Sequence, residues 1–461
     1  MNVRMIRQQY HLEPDRGLLN DPNGLSWFNG KYHVFFQWNR FEKNHSYKEW
    51  GLFTSKDLLE WEFEGSAILP DQEYDEDGVY SGSGYVIEDK LYLFYTGNNK
   101  KNGKRKSSQC LAVTKDGRKY LKKGVVLKTP EEYSQHFRDP KVFPGKHSGY
   151  YMVIGAQQKS GKGALALCKS DDGETWTYRK MLASSKKYEM IECPDLFELD
   201  GRYVLLFNPQ KRDNAADESI YSFSAYKLGI FDEENEIFQG DNLDEELQLM
   251  DAGFDFYAPQ TFLSPDGRRI LFAWMSRMEN EQEKVFSRTE SSIHCLTMPR
   301  ELFIQDNKLC QKPVRELYNL LGRKMNPVYE DETCKIRTQT KAFFLKLNLK
   351  NEKQNLNVCF YQGEMKIDYN SKEKKLIFAR RNWVDNTMEI KTAAVDRCQE
   401  LEVWSDYSSM EIFVNRGQIV FSARIFPKGK IPEIIINNPT TDLEVEIREI
   451  KTTKKKEEQK S

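Results

Sequence analysis

A chain of 461 residues is longer than one hydrophobic core ordinarily supports, so two domains are expected. Lys and Arg total 69 against 70 Asp and Glu, a formal net charge of -1. That balance lacks the basic excess of a nucleic-acid or anionic-membrane footprint, so neither partner is expected and a small or neutral ligand fits better.

No apolar run approaches the roughly 20 residues that span a bilayer, and residues 1–9 have no stretch of signal-peptide character, so a cytoplasmic location is expected. The eight cysteines are dispersed, with no Cys-x-x-Cys pair and no paired histidines nearby. This pattern disfavours structural zinc and suits reduced, buried thiols.

In chain order, the first repeating feature is Asn20-Asp21-Pro22-Asn23-Gly24 followed by the strand-like phrase Asn29-Gly30-Lys31-Tyr32-His33-Val34-Phe35-Phe36. The phrase returns at Asp89-Lys90-Leu91-Tyr92, Ser148-Gly149-Tyr150-Tyr151, Asp200-Gly201-Arg202-Tyr203 and Asp266-Gly267-Arg268-Arg269. Asp21, Asp139 in Phe137-Arg138-Asp139-Pro140-Lys141 and Glu192 in Glu192-Cys193-Pro194-Asp195 each stand 8 or 9 residues before their phrases. A second echo is Ser55-x-Asp57 with Trp61, Thr114-x-Asp116 with Tyr120, and Ser170-x-Asp172 with Trp176. Hydroxyl and carboxylate side chains at that spacing close turns on local backbone, and the ring then packs an outer strand. Five copies of one β unit predict a five-bladed β-propeller over residues 1–300, a radial array in which carboxylates at one repeat position converge.

From residue 301 the repeat stops, and 301–325 reads as a linker. Period-two alternation follows at Phe343, Leu345, Leu347 and Leu349, at Leu356, Val358 and Phe360, and at Met410, Ile412 and Val414 before Asn415-Arg416-Gly417. One face buried and one wet, joined by hairpins, predicts a C-terminal β-sandwich over 326–450, and hence an all-β protein. Residues 451–461 lack apolar side chains and read as a disordered charged tail.

Converging carboxylates are what glycosidic cleavage requires: one protonates the departing oxygen, another attacks or activates water. An isolated Asp in Asp-Pro-Asn-Gly is ordinarily a turn residue. The shared repeat phase of Asp21, Asp139 and Glu192 favours the functional reading.

Asn20-Asp21-Pro22-Asn23-Gly24, Tyr80-Ser81-Gly82-Ser83, Arg138-Asp139-Pro140, Glu192-Cys193-Pro194-Asp195 and Phe254-Asp255-Phe256-Tyr257-Ala258-Pro259-Gln260, in that order, resemble glycoside hydrolase family 32, the β-fructofuranosidases. The likeness covers nearly the whole chain, and within the family it is greatest to the branch acting on sucrose 6-phosphate. It implies that Asp21 is the nucleophile, that Glu192 is the acid and then the base of a retaining reaction, and that Asp139 holds ring hydroxyls. Arg138 is expected to keep Asp139 ionised. Asn20, Gln37, Tyr80, Ser81 and Trp274 match positions lining the fructose pocket, and His45 stands where the phosphate-specific branch often has His. Glu192 must carry a proton when substrate arrives and Asp21 must not, so a coupled titration and a bell-shaped pH profile are expected. No metal or cofactor is expected. The sandwich is assigned a stabilising role, with a homo-oligomer contact left open. Two rival readings stand: an invertase or fructanase acting on unphosphorylated sugars, and a sugar-binding propeller without turnover.

Overall fold

The computed structural model describes residues 7–212, 220–245, 247–278, 280–289, 291–330, 332–351, 354–429, 432–437, 439 and 442–451. The recurring phrases begin at tight hairpins. Asn29-Gly30 (φ 49° and 75°) and Asp200-Gly201 (φ 49° and 77°) are left-handed at both positions, the turn geometry that matches strand twist. Each phrase is therefore the second strand of an antiparallel blade, and its apolar residues, such as Val34, Phe35 and Phe36, are fully buried.

The first blade runs Gly17–Phe28, Lys31–Asn39, Glu49–Ser55 and Trp61–Ile68, from the inside out. The second is Val79–Ile87, Lys90–Lys101, Lys104–Thr114 and Leu121–Lys128; the third is Tyr133–Pro144, Tyr150–Gln158, Gly163–Ser170 and Thr177–Ser184. Met190–Leu199, Arg202–Arg212, Ala225–Gly229 and Gln248–Leu249 make the fourth, with Ile220–Ser222 pairing Arg202–Arg212. The ring closes where Ser292–Ile293 pairs in parallel with Gly17 and Leu18.

The hydroxyl-x-Asp echoes close the turns between third and outer strands. Ser55 Oγ accepts from the Leu58 N–H at 2.9 Å and Asp57 accepts from the Leu59 and Glu60 N–H groups, while Trp61 donates back to the Leu58 carbonyl at 3.2 Å. Tyr120 to Gly117 and Trp176 to Gly173 repeat that return bond at 2.8 and 3.0 Å.

The predicted linker is not one. The fifth blade is Tyr257–Leu263, Arg269–Trp274, Arg300–Gln305 and Lys308–Pro313, so residues read as connector form its two outer strands. A short 3-10 turn, Arg315–Leu320, then leads into Leu321–Lys324, which already belongs to the sandwich. The segment between the blade's second and third strands carries a helix, Asn280–Thr289, that the sequence reading did not anticipate.

The sandwich packs a 6-stranded sheet on a 7-stranded one. All the alternating residues singled out at 343–349, 356–360 and 410–414 are buried between them. The Asn415-Arg416-Gly417 turn has positive φ throughout, and a Cβ on Gly417 would sit 1.5 Å from the Gln311 carbonyl oxygen, so this hairpin presses on the outer strand of the fifth blade. A core joining Phe344, Trp404 and Phe413 to Tyr10, Phe272 and Leu317 makes the two domains one body. Of the predicted tail, 452–461 lies outside the described residues.

Candidate active site

Every innermost strand of the propeller is irregular at the same level. Register shifts fall between Leu19 and Pro22, Tyr80 and Gly82, Glu192 and Asp195, and Tyr257 and Gln260 of the first, second, fourth and fifth blades, and beside Arg138 in the third. A bulge turns a side chain that would alternate away and aims it along the axis. Asp139 (φ 67°) and Cys193 (φ 43°) are held in left-handed conformations by these bulges, a strained geometry for non-glycine residues. Between the third and fourth blades, a Cβ on Gly155 would lie 2.4 Å from the Ile191 carbonyl oxygen; its absence lets Arg138 and Glu192 meet.

Asp21, Asp139 and Glu192 converge as their repeat phase predicts. The Cys193 thiol lies 3.9 Å from Asp21 Oδ2 and 3.5 Å from Asp139 Oδ2, and the Cys193 N–H donates to Asp139 Oδ2 at 3.0 Å. Burial, with the neighbouring carboxylates, pushes that thiol well above its ordinary range, so it stays protonated and serves as a weak donor. Asp21 accepts from Ser81 Oγ at 2.5 Å. Behind it, Gln37 donates to Ser81 at 2.7 Å, Asn20 donates to Gln37 at 2.6 Å, and Lys48 donates to Asn20 Oδ1. Burial raises the Asp21 carboxyl, while Ser81, Lys48 and Asn20 act in the opposite direction.

One electrostatic expectation, that Arg138 keeps Asp139 ionised, does not match the geometry. Arg138 is aimed not at Asp139, from which it stands 3.9 Å, but at Glu192, to which it donates from Nη2 at 2.5 Å and from Nε at 3.1 Å. Burial therefore prevails at Asp139 and pushes its carboxyl up to about 7. Burial alone would raise Glu192 as well, but Arg138, the Tyr257 hydroxyl donating at 2.7 Å, and Arg277 hold it below its ordinary value. Without substrate these shifts favour a proton on Asp139 over one on Glu192, whereas the expectation of a protonated Glu192 concerns the substrate-bound state. Like charges packed this closely cannot all ionise together, and the placement of the neighbouring cations, Arg138 above all, decides which does.

The remaining predicted residues divide into two sets. Asn20, Gln37 and Ser81 form the polar chain behind Asp21. Tyr80 is half-buried, and Trp274 is buried with its ring edge-on to His45 at 6.1 Å and to Tyr257 at 6.4 Å. His45 is exposed and accepts from Lys48 at 2.9 Å; the Lys48 charge drives its pKa down to about 3, so the ring is neutral.

Sequence reasoning missed Lys48, Gln210, Tyr257 and Glu283. Gln210 donates to Glu192 Oε2 beside Tyr257, and Glu283, from the unanticipated helix, lies 3.3 Å from His294 and 3.9 Å from His45. Tyr257 falls inside a motif already singled out; the others carry no local signal. Among the described residues no group of His, Cys, Asp and Glu is arranged to hold a metal ion.

Comparison with known proteins finds relatives along nearly the whole chain. Residues 11–313 match the glycosyl hydrolases family 32 N-terminal domain and 317–452 match the family's C-terminal domain. The chain is 37% identical to the sucrose-6-phosphate hydrolase of Bacillus subtilis (strain 168) over 436 residues, 91% of this chain and 89% of that one. Among solved structures it is similar to sucrose-6-phosphate hydrolase from Lactobacillus gasseri (TM-score 0.86, 29% identity, 97% and 94% of the two chains). It is also similar to a Bombyx mori GH32 beta-fructofuranosidase in complex with sucrose (TM-score 0.84, 26% identity, 97% and 94%).

Proposed function

The chain belongs to glycosyl hydrolase family 32, the β-fructofuranosidases, and on that premise we propose that it hydrolyses sucrose 6-phosphate to fructose and glucose 6-phosphate with retention of configuration. The observation that carries this reading is the meeting of Asp21, Asp139 and Glu192 around Cys193 and Arg138.

In the first step an Asp21 oxygen attacks the anomeric carbon of the fructosyl unit. The bond to the glucose oxygen breaks, and Glu192 protonates that oxygen. Water then attacks the same anomeric carbon, giving its proton to Glu192, and the bond from that carbon to the Asp21 oxygen breaks, which frees Asp21 and fructose. Glu192 needs a proton at the outset, and the proton available in the cluster is the one burial places on Asp139. A leaving-group oxygen entering between Arg138 and Glu192 weakens the ion pair that keeps Glu192 charged, so the proton passes to Glu192. Asp139 is then ionised and stabilises positive charge growing on the ring. Asn20, Gln37 and Ser81 orient Asp21 and meet sugar hydroxyls; Tyr80 and Trp274 wall the pocket.

A cytoplasmic setting is supported by the eight free thiols, all but Cys359 buried. Among the described residues no helix is long and apolar enough to cross a membrane.

The test is release of fructose from sucrose 6-phosphate. Asp21→Ala is expected to lower kcat by about 10^4-fold or more, as loss of a nucleophile does. Undiminished release would remove Asp21 from its role, and a wild-type protein that frees fructose from no fructoside would favour a binding propeller.

A further inference from the structure

The hairpin joining Lys90–Lys101 to Lys104–Thr114 stands on the same rim of the propeller as the carboxylate cluster. Its register sets Lys101 opposite Lys104 and Lys100 opposite Arg105. Like charges directly opposed across a strand pair destabilise it. Lys101 is relieved by an ion pair with Glu73. Arg105 is not: among the described residues no carboxylate lies within ion-pair distance of its guanidinium, although the side chain is half-buried. Its guanidinium carbon is instead seated 5.6 Å from the centroid of the Tyr80 ring.

Tyr80 precedes Ser81, whose hydroxyl holds Asp21, and pairs with Thr96, whose hydroxyl accepts from the Asp139 N–H at 3.0 Å. Arg105 thus caps a wall of the pocket without touching the cluster. Other cations of the site are already engaged, Arg138 by Glu192 and Lys48 by Asn20 and His45. A guanidinium steadied over an aromatic face presents paired N–H donors in the geometry that phosphate oxygens accept, with Lys100 adding positive charge beside it. Local repulsion left uncompensated at a pocket rim marks a place where the missing counter-charge arrives with the ligand.

We propose that Arg105, seated on Tyr80, binds the phosphate of the sugar substrate and sets the preference for the phosphate ester over the unphosphorylated sugar. The assignment rests on the sucrose 6-phosphate reading above. The test is the ratio of kcat/KM for sucrose 6-phosphate to that for sucrose, measured on each enzyme preparation so that partial misfolding cancels. Arg105→Ala is expected to lower the ratio by about 10- to 100-fold, chiefly through KM for the phosphate ester, the loss typical of a charge-assisted contact. Arg105→Lys, which keeps the charge but not the fork, should recover part of it. Inhibition by the product glucose 6-phosphate should weaken in parallel. If Arg105→Ala gives no folded enzyme, Arg105→Gln carries the same comparison. A ratio unchanged in the variant, or a fall equal for both sugars, overturns the role of Arg105 alone. A wild-type enzyme with no preference for the phosphate ester overturns the substrate reading, and Arg105 with it.

Discussion

The molecule buries carboxylates in two places and treats them in opposite ways. Between the propeller and the sandwich, His11 donates from Nδ1 to Asp406 at 2.9 Å and from Nε2 to Glu411 at 2.8 Å, and Arg300 Nε reaches Glu411 at 2.8 Å and Nη1 reaches Asp251 at 3.3 Å. Backbone N–H groups fill the remaining lone pairs: Gln9 and Tyr407 on Asp406, Met298 on Glu411, Gly253 and Ser422 on Asp251. Burial would raise Asp406 and Glu411, yet these partners hold both below their ordinary values; only Asp251 stays raised. At the catalytic centre, by contrast, Arg138 serves Glu192, while Asp21 and Asp139 remain raised by burial. A buried acid that is fully satisfied fastens domains, whereas one left under-compensated keeps a mobile proton for chemistry.

The largest break should come at the under-compensated site. Glu192→Gln is expected to lower kcat/KM for a fructoside by about 10^2- to 10^4-fold, the range for loss of a general acid. In the wild type, activity should fall as pH rises through about 7, where the cluster gives up its proton. That limb should be missing from the residual activity of the variant; a pH-rate profile that keeps it would assign the acid elsewhere.

The satisfied region breaks in stability instead. Arg300 is fully buried and holds Glu411 and Asp251 together, so Arg300→Met leaves two buried charges short of a partner. A loss of about 3 to 5 kcal/mol is expected in denaturant unfolding. The part of the population still folded should keep its kcat, because the carboxylate cluster is untouched.

His11 sharpens the same contrast through pH. Burial would lower its pKa, but bonds to Asp406 and Glu411 raise it to about 9. A histidine raised in the folded state stabilises fully below its unfolded value near 6.5 and loses that contribution as pH climbs through about 9. Thermal melts across this window should show a fall of about 3 kcal/mol that His11→Gln abolishes.

The sequence made some of this legible and hid the rest for identifiable reasons. Asp21, Asp139 and Glu192 were readable because each occupies a bulge at one phase of a repeating strand pair, and phase survives in a linear string. The hairpin glycines and the hydroxyl-x-Asp turns were equally local. Lys48 and Gln210 reach the site from a loop and from the far end of a second strand, where spacing carries no information. The outer strands of the fifth blade read as a linker in the sequence because the helix Asn280–Thr289 and its flanks displace them from the interval kept by the other blades. The protonation order was hidden too, since Arg138 adjoins Asp139 in sequence but faces Glu192 in space.

The smallest effect separates function from stability at a single residue. Asp139 is buried with its carboxyl raised to about 7, far above the value near 3.9 of an unfolded chain. A carboxyl raised in the folded state favours the fold while protonated in both states and weakens it as pH rises through the unfolded value toward about 7. Asp139→Asn removes that penalty and retains an oxygen for the Cys193 N–H. The variant should therefore match the wild type near pH 4 and exceed it by about 1 to 3 kcal/mol above pH 7, while losing activity. This window lies below the one governed by His11, so melts of the two variants across pH would assign each part of the alkaline decline to its own cluster. An Asp139→Asn protein less stable than wild type at pH 8 would mean that the charge on Asp139 is as well compensated as those at the domain interface.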